Sequence, residues 1–352
     1  MKKIALITPN NLWVSPYVSI YIRLFEQWGI PYETISWNRE GVNETGIQYN
    51  KKEKSRNMLK VLISYYSFVG FVKKTIKRNN YDRLVIFTPQ LGVFMESFLR
   101  KKYKNRYVFD YRDLSIEQNV FFKTPFKRLL SNSFVNVISS PGFKKYLPPF
   151  DFVVSHNFNT EVVNNAIGRS VEPNKGDSIK VLTIGAIRED MNVEVIDALG
   201  DVDGFDLSFV GKGISAEYLE EYVNTKGYRN ITFAGYYPKE EEPSIIKSHT
   251  LINIVYPLIP SHISALSNRF YNSLIYKRPM IVTKGTIQGD YARQYDVGLV
   301  IDDCKNLDKK IVSYLGNLDY NVYSKQCDFL LDVFLEENRE FEKTIKAFVT
   351  TQ

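Results

Sequence analysis

The chain has few residues of the kinds that build metal centres or disulfide frameworks. Its 352 residues include only two cysteines and three histidines. Cys304 and Cys327 are too few for a disulfide framework, and no histidine cluster accompanies them as a zinc site would require. We therefore expect both cysteines to be free thiols, buried, in a reducing compartment.

Long apolar segments are also absent. No stretch approaches the roughly 20 apolar residues of a membrane-spanning helix. The longest candidate, Met58 to Val72, is interrupted by Lys60, Ser64 and Gly70. The first ten residues, MKKIALITPN, hold an apolar run too short for a signal peptide and typical of a first β-strand. These features favour a cytoplasmic globular protein.

Charge is unevenly distributed along the chain. Residues 1–160 carry 25 Lys and Arg against 11 Asp and Glu, whereas the remaining residues carry 21 against 28. A basic first half favours a polyanionic partner, and a membrane surface, a lipid-linked phosphate and a nucleic acid all fit. We expect no nucleic-acid partner, because no recognition motif for one is present.

Part of this charge lies in one segment, Lys51 to Arg78. It has nine Lys and Arg, one acidic residue, and the interleaved aromatic residues Tyr65, Tyr66, Phe68 and Phe71. The pattern is typical of an interfacial helix on anionic lipid. It equally fits an amphipathic helix that covers a sheet and buries the aromatic side chains in the core.

Strands alternate with helices along the whole chain, which predicts parallel sheets with helices on both faces. The first series of predicted strands is Lys3–Thr8, Tyr32–Ser36, Arg83–Thr88, Tyr107–Tyr111, Val135–Ser139 and Phe152–Val154. The second is Lys180–Ile184, Asp206–Val210, Ile231–Ala234, Leu251–Val255, Pro279–Val282 and Gly298–Ile301. The sequence also predicts a loop at Asn38–Lys54, a long helix at 55–79, and a polar segment at Asn157–Asp177 that separates the two series. The sequence thus predicts an α/β protein of two doubly wound, Rossmann-like domains, 1–160 and 161–335, facing a cleft. Ligands of such sheets bind beyond the carboxyl ends of the strands.

Three strand ends of the second half carry candidate ligand-binding residues. Gly185 and Arg188 follow the first strand, and such a loop can offer backbone N–H groups and a guanidinium to a diphosphate. Gly211 and Lys212 follow the second strand, and Tyr236 follows the third. The alternatives are a solvated arginine, a tight turn that explains the glycines without any ligand, and a tyrosine that only packs.

The segment Ser261 to Leu274 opens a helix with clustered polar side chains. We predict an anion and sugar site there, built from Ser264, Ser267, Asn268, Arg269 and Asn272. The alternative is helix capping by Ser267 or Asn268, which would explain one polar residue of the group. Because parallel strands end at one edge of a sheet, we expect Arg188 and Arg269 to converge on one diphosphate.

The first half offers its own candidates. Asp110, Arg112 and Asp113 close a strand, and two carboxylates around an arginine can build a general base held by an ion pair. The alternative is a purely structural Asp–Arg pair. His156 lies near the predicted domain boundary, and we predict that Asp113 and His156 are catalytic, although a lone histidine is more often structural.

Taken in this order, these residues resemble the GT-B glycosyltransferases, and within them the family 4 type that builds bacterial capsular and surface polysaccharides. The resemblance covers nearly the whole chain. It rests on the Gly185–Arg188 loop, Phe209–Gly213, Phe233–Gly235 and the run from Asn268 to Pro279. Asp110–Leu114 is similar to the Asp-x-Arg-Asp-Leu run in the acceptor half of capsular-type members.

The chain departs from the family pattern at three places. Ser264 and Asn272 stand where the family has a Glu-x7-Glu pair facing the donor. Met191 stands where a lysine is expected, and Asn10 and Asn11 replace an N-terminal Gly-Gly loop. Asn272 keeps the capacity to hydrogen-bond a ribose hydroxyl, whereas Ser264 does not reproduce the contact of a carboxylate.

The resemblance implies transfer of a sugar from a nucleotide diphosphate donor to a lipid-linked or oligosaccharide acceptor, with neither cofactor nor bound metal. It places the donor on the second domain and the acceptor on the first, beside Asn10, Asn11, Asp110 and Arg112. It also implies that the C-terminal helix, 336–352, crosses back to the first domain. The enzyme would be cytoplasmic, either free or peripheral on the inner face of the plasma membrane.

Three other readings stay open. A GT-B-type nucleotide-sugar epimerase would form its product without an acceptor. A catalytically silent partner subunit, suggested by the missing glutamate pair, would bind a nucleotide sugar without transferring it. A nucleic-acid binder would show a steeply salt-dependent affinity.

Overall fold

The computed structural model describes residues 3–52, 58–169, 176–188 and 192–351. The chain divides into two compact units. Unit 1 comprises Met1–Asn157 and Glu336–Gln352, and unit 2 comprises Phe158–Leu335. The predicted boundary between residues 160 and 161 lies three residues further along the chain than this division.

Unit 1 is built on one sheet of seven parallel strands, in the order β3-β2-β1-β4-β5-β6-β7. Its elements are β1 (Ile4–Thr8), α1 (Pro16–Gln27), β2 (Tyr32–Asn38), β3 (Ile47–Asn50), α2 (Met58–Asn79), β4 (Arg83–Phe87), α3 (Pro89–Lys102), β5 (Tyr107–Tyr111), α4 (Val120–Asn132), β6 (Val135–Ile138) and β7 (Val153–Val154). All residues of β1, β4 and β5 are buried, as expected for apolar strands covered by helices on both faces.

Unit 2 has a second parallel sheet, of six strands, in the order β10-β9-β8-β11-β12-β13. Its elements are α5 (Thr160–Ala166), β8 (Ile179–Ile184), α6 (Asn192–Leu199), β9 (Phe205–Val210), α7 (Ala216–Lys226), β10 (Ile231–Gly235), α8 (Glu242–Lys247), β11 (Leu251–Ile254), α9 (Pro260–Ser264), α10 (Asn268–Ile275), β12 (Met280–Thr283), α11 (Ile287–Tyr295), β13 (Gly298–Ile301), α12 (Leu307–Gly316) and the last helix, α13 (Tyr320–Thr350).

The helix α13 supplies core residues to both units. Leu330 and Phe334 belong to the core of unit 2. Phe341 and Phe348 belong to the core of unit 1. The two sheets and their flanking helices confirm the predicted class, two doubly wound parallel-sheet folds.

Each sheet has one point at which the strand order reverses. In unit 1, β1 lies between β2 and β4, and in unit 2, β8 lies between β9 and β11. The chain leaves β1 in one direction and returns to its other side, which opens a crevice between the loops beyond those strands. Ligands of open parallel sheets bind in such crevices, so the reversals mark one candidate site in each unit.

Several elements differ from the sequence-based prediction. Strand β3 lies within Asn38–Lys54, which was predicted to be a loop; its residues are only partly buried, as on a sheet edge. Helix α5 lies in the polar segment predicted to separate the domains. Helices α4 and α11 were not predicted. Of the predicted helix 55–79, residues 55–57 lie outside the described residues.

Candidate functional site

A cavity of about 620 Å³ opens in unit 2 at the strand-order reversal of the second sheet. Its walls come from the loops after β8, β9, β10 and β11 and from the first turns of α10. Nine of the ten predicted donor-binding residues line it: Gly185, Arg188, Gly211, Lys212, Tyr236, Ser267, Asn268, Arg269 and Asn272. Their binding roles stay predictions, but the structure brings them to one place.

The structure does not bring Ser264 to this cavity. Its side chain is fully buried, and its hydroxyl donates to the carbonyl oxygen of Pro260 at 2.6 Å. The hydroxyl bonds back to the preceding turn of its own helix, which is a common arrangement for serine. Met191, the position at which the resemblance expected a lysine, lies outside the described residues.

Two glycine-containing loops meet backbone to backbone at the cavity. The Gly185 N–H donates to the Val210 carbonyl at 2.8 Å, and Ile187 N–H to the Lys212 carbonyl at 3.2 Å. A Cβ at Gly211 would lie 1.9 Å from the Gly185 carbonyl oxygen. This close approach explains Gly211 without any ligand. It also leaves the Lys212 side chain exposed at the cavity wall.

Arg269 lies beneath the first of these loops. Its Nε donates to the Ile184 carbonyl and its Nη2 to the Ala186 carbonyl, both at 2.7 Å. Its guanidinium also lies 5.6 Å from the centre of the Tyr256 ring. The residue therefore fixes the loop after β8 and places a positive charge in the cavity wall, while Arg188 is exposed on the same loop.

The start of α10 is capped by Ser267. Its hydroxyl accepts from the Phe270 N–H at 3.3 Å and donates to Oε1 of Gln288 at 2.7 Å. The capping alternative therefore holds for Ser267. Asn268 is exposed and lines the cavity together with Arg269 and Asn272, so capping does not account for the whole polar segment.

A buried carboxylate, Glu242, lies at the wall of the same cavity and was not predicted from the sequence. It accepts the Tyr237 hydroxyl at 2.7 Å and the Asn272 amide at 3.3 Å, and it pairs with Lys239. Burial and the bond to Glu242 raise the pKa of Tyr237, which therefore stays a hydroxyl donor. A Glu in a short charged run gives no sequence signal that separates it from its solvated neighbours.

Two further rings line the cavity. Tyr256 and His262 have ring centres 5.0 Å apart. His262 lies within the predicted segment Ser261 to Leu274, whereas Tyr256 was missed. Tyr256 comes two residues after the buried strand β11, and that position was the only signal for it.

In unit 1, Asp110 and Arg112 form a buried pair. Nε and Nη2 of Arg112 donate to the two carboxylate oxygens at 2.5 and 2.7 Å, and the Tyr21 hydroxyl adds a bond at 2.7 Å. Nη1 of Arg112 donates to the Ser155 carbonyl at 3.1 Å. These internal contacts fit the alternative given above, a structural Asp–Arg pair. Asp113, the next residue, is exposed, and its catalytic role stays a prediction.

His156 has no exposed surface. Its Nε2 lies 2.6 Å from the carboxylate of Glu337, and its backbone N–H donates to Asn338 at 2.9 Å. Burial lowers the pKa of His156 even though Glu337 opposes the shift. The arrangement fits a neutral ring that donates from Nε2 to the carboxylate. The predicted catalytic role is untested, and the contacts found for the ring are internal.

Asn10 and Asn11 have different environments. The Asn11 amide is buried and bonds to Asn38 at 3.0 Å and Glu44 at 3.2 Å, while its oxygen accepts the backbone N–H of Arg39 at 3.0 Å. Asn11 therefore holds two loops together. Asn10 is partly exposed and lines a second cavity.

This second cavity, of about 330 Å³, lies at the strand-order reversal of the first sheet. Most of its lining is apolar: Pro9, Val61, Leu62, Tyr65, Phe94 and Ile116, with Asn10, Arg39, Thr88 and Gln90 as polar members. The β-branched Thr88 has a φ of +75°. Such backbone costs of order 1–3 kcal/mol and clusters at functional sites.

An apolar patch lies beside this cavity, formed by Leu62, Ile63 and Tyr66 of α2 and Val120 and Phe121 of α4, all exposed. The Phe94 ring links the two helices, 5.1 Å from Tyr66 and 6.2 Å from Phe122. The same two helices carry exposed lysines, Lys60 on α2 and Lys123 and Lys127 on α4. The opposite face of α2 buries Tyr65, Phe68 and Val72, so α2 covers the sheet and also presents apolar side chains to solvent.

Within the described ranges, no group of three or more His, Cys, Asp or Glu side chains is arranged to hold a metal ion. No helix in that part of the chain has both the length and the apolar character needed to span a bilayer.

No protein-family model matches the sequence, and no curated protein matches it. Solved structures do match over the full length. Sucrose-phosphate synthase from Thermosynechococcus elongatus aligns with a TM-score of 0.73 at 14% identity, covering 100% of both chains. The Anabaena protein HepE, in complex with UDP, aligns at 0.62 and 13% identity over 99% of this chain and 100% of its own.

A third match is a Listeria monocytogenes protein assigned as a UDP-N-acetylglucosamine 2-epimerase. Its TM-score is 0.56 at 10% identity, over 93% of this chain and 90% of that one. Identities this low establish the fold alone. The chain has the GT-B fold, the fold of glycosyltransferases such as sucrose-phosphate synthase.

Proposed function

We propose that the protein is a metal-independent glycosyltransferase that moves a sugar from a nucleotide diphosphate donor to a lipid-linked glycan in surface polysaccharide synthesis. The unit 2 cavity supports this proposal most directly. It combines two glycine loops, the cations Arg188, Lys212 and Arg269, and neutral polar groups such as Asn268. A diphosphate needs such cations, and a sugar needs hydrogen-bonding side chains.

The cationic wall supports a reaction without a metal. Negative charge grows on the leaving diphosphate as the glycosidic bond breaks, and fixed guanidinium and ammonium groups can stabilise that charge. Arg269 is held by two carbonyl oxygens, so its charge is pre-oriented. Arg188 is exposed and is the better placed of the two arginines to contact the phosphates.

The apolar cavity of unit 1 supports a lipid-linked acceptor. A carbohydrate alone would not need a lining dominated by Leu62, Tyr65 and Phe94, whereas the apolar part of a glycolipid would. The adjoining apolar patch, on helices that also carry exposed lysines, has the composition of a surface that binds anionic lipid. We place the enzyme in the cytoplasm, peripheral on the inner face of the plasma membrane.

Asp113 is the proposed base or positioning group for the acceptor hydroxyl, and His156 is proposed to assist it. Asp113→Asn should lower turnover by about 10²-fold or more if the carboxylate is a base. Wild-type turnover in the folded variant would remove Asp113 from the mechanism.

The first test is a thermal-shift screen of nucleotide diphosphate sugars, since a ligand that binds the native state raises apparent stability. The best donor then enters a transfer assay with a polyprenyl-linked acceptor, with and without EDTA. Loss of transfer in EDTA would contradict metal independence. Donor binding without any transfer would favour the silent partner subunit.

The membrane proposal has its own test. Phe121→Ser should reduce co-sedimentation with vesicles that contain anionic phospholipid, and Phe329→Ser is the matched control, because Phe329 is also exposed but lies in unit 2. Binding that is equal with neutral and anionic vesicles would contradict the proposed surface.

An epimerase is the second candidate, favoured by the structural match to the Listeria protein. An epimerase would convert the nucleotide sugar in the absence of any acceptor. Product analysis by NMR with donor alone separates the two functions.

A further inference from the structure

The lining of the unit 2 cavity includes one carboxylate, although its other charged residues, Arg188, Lys212, Lys239 and Arg269, are cationic. Glu242 is 8% exposed and lines the cavity opened by Arg188, Lys212 and Arg269. A carboxylate repels phosphate oxygens, so a diphosphate in this cavity would lie away from Glu242. The part of the ligand that meets Glu242 must therefore be neutral and must carry hydrogen-bond donors.

The contacts of Glu242 hold its carboxylate in one orientation. Tyr237 donates to Oε2, while Asn272 and Lys239 donate to Oε1. A carboxylate has about four acceptor positions, and these three bonds leave room for one more. Asn272 lies one turn after Arg269 on α10, so the helix that fixes the glycine loop also fixes the carboxylate.

We propose that Glu242, presented by Tyr237 and Asn272, is a specificity-determining residue that accepts a hydrogen bond from a hydroxyl of the nucleotide sugar. This proposal rests on the proposed function of the cavity. Hydroxyls of this kind come from two sources, the ribose and the transferred sugar. A buried site built to accept a hydroxyl rejects an analogue that lacks it, because the carboxylate then loses a partner.

The competing explanation is a purely structural network. In that case Glu242 would tie the loop after β10 to α10 and would not contact ligand. The two explanations predict different effects of removing the Glu242 charge on ligand affinity. Removing a negative charge from a bystander would leave diphosphate binding unchanged or tighten it, whereas removing a hydroxyl acceptor would weaken binding.

The test compares wild-type protein with Glu242→Gln, which keeps the shape of the side chain. The probes are UDP, ADP and GDP, their 2′-deoxy counterparts, and UDP-glucose, ADP-glucose and GDP-glucose, titrated by calorimetry. We expect wild type to bind at least one ribonucleotide or its sugar, and Glu242→Gln to bind that probe about 10- to 100-fold more weakly.

The pattern of the loss identifies the source of the hydroxyl. If Glu242 accepts from a ribose hydroxyl, wild type prefers UDP, ADP or GDP over the deoxy form, and Glu242→Gln loses that preference. If Glu242 accepts from a hydroxyl of the transferred sugar, Glu242→Gln loses affinity for the nucleotide sugar and keeps its affinity for the nucleoside diphosphate. Either pattern supports the proposal.

Two variants control for indirect effects. Glu241→Gln removes a neighbouring carboxylate that is exposed and does not line the cavity, and it should bind every probe as wild type does. Lys239→Gln removes the ammonium partner of Glu242. A loss in Lys239→Gln equal to that in Glu242→Gln would overturn the proposal, because misplacement of Lys239 would then explain both.

Failure of the inference and failure of the proposed function give different results. If Glu242→Gln has the melting temperature of wild type and binds all probes equally well, Glu242 does not read hydroxyls and the proposed function survives. If wild type itself binds none of the probes, the proposed function and this inference both fail. A lowered melting temperature with unchanged affinities would establish the structural network instead.

Discussion

Replacing Asp110 with asparagine removes the charge of one member of a buried ion pair in unit 1. The wild-type carboxylate accepts two bonds from Arg112 and one from the Tyr21 hydroxyl. Both residues of the pair are buried, with side-chain exposures of 0% for Asp110 and 5% for Arg112. An asparagine could accept on its oxygen, but its amide nitrogen would face a guanidinium that offers no acceptor.

The size of the destabilisation follows from the loss of the counter-ion of Arg112. Its guanidinium would keep the Ser155 carbonyl as an acceptor but would be a buried charge without a counter-ion. Breaking a buried pair by neutralising one partner costs about 3–5 kcal/mol. For a unit of this size, about 1 kcal/mol shifts the melting temperature by about 2–4 °C, so the unfolding transition of unit 1 should fall by about 6–20 °C.

The assay is differential scanning calorimetry of Asp110→Asn beside Asp113→Asn. Asp113 lies three positions further along the same segment and is exposed, so its substitution should change stability by less than about 0.5 kcal/mol. The two variants should therefore differ in their defects: Asp110→Asn should lose stability, and Asp113→Asn should lose turnover. An Asp110→Asn protein as stable as wild type would refute the reasoning that this pair is structural.

Three further predictions follow from the same structure. Arg188→Ala should lower kcat/KM by about one to two orders of magnitude, with partial rescue by lysine, because a charge-assisted contact to the leaving group is lost; unchanged steady-state kinetics would contradict this. Gly211→Ala should lower the free energy of unfolding by at least about 1 kcal/mol in urea melts, since its Cβ would meet the Gly185 carbonyl and its φ is +141°; Gly70→Ala, with open space at that position, is the control. Because burial lowers the pKa of His156, the contribution of this residue to stability is complete above its ordinary pKa of 6.5 and is lost as the pH falls below that; replacing His156 with Gln should flatten the fall of unfolding free energy below about pH 6.5, and an unchanged slope would argue against it.

The fold could be predicted because the buried parallel strands have continuous apolar sequences. The elements that were missed each have a local physical reason. Helix α4 contains Pro125, which lacks the N–H of a regular helix. Helix α11 contains Gly289, whose Cβ would lie 2.5 Å from the Thr283 carbonyl, so packing requires a residue with poor helix propensity. Strand β3 is half-buried and correspondingly polar.

The candidate donor cavity could be predicted where the sequence fixes backbone geometry. Glycines and polar residues directly after strands mark the edge of a parallel sheet, and Gly185, Arg188 and Gly211 were found in that way. Glu242 could not be found, because it does not directly follow a strand. Its position depends on how the chain after β10 folds back onto the cavity, and no local sequence pattern predicts that.

Net charge is a poor guide to the polarity of either cavity. Residues 161–352 are acidic overall, with 21 Lys and Arg against 28 Asp and Glu, yet the unit 2 cavity gathers Arg188, Lys212, Lys239 and Arg269. The basic residues 1–160 instead surround an apolar cavity in which Arg39 is the one cation among the described lining residues. The affinity for a small anionic ligand depends on such a local cluster, because nearby fixed charges outweigh screened charges further away.

The net positive charge of unit 1 suits an extended anionic partner, such as a lipid surface, that meets many lysines at once. Diphosphate affinity should therefore depend weakly on ionic strength while vesicle binding falls steeply with it, and equal salt dependence of the two would contradict this division.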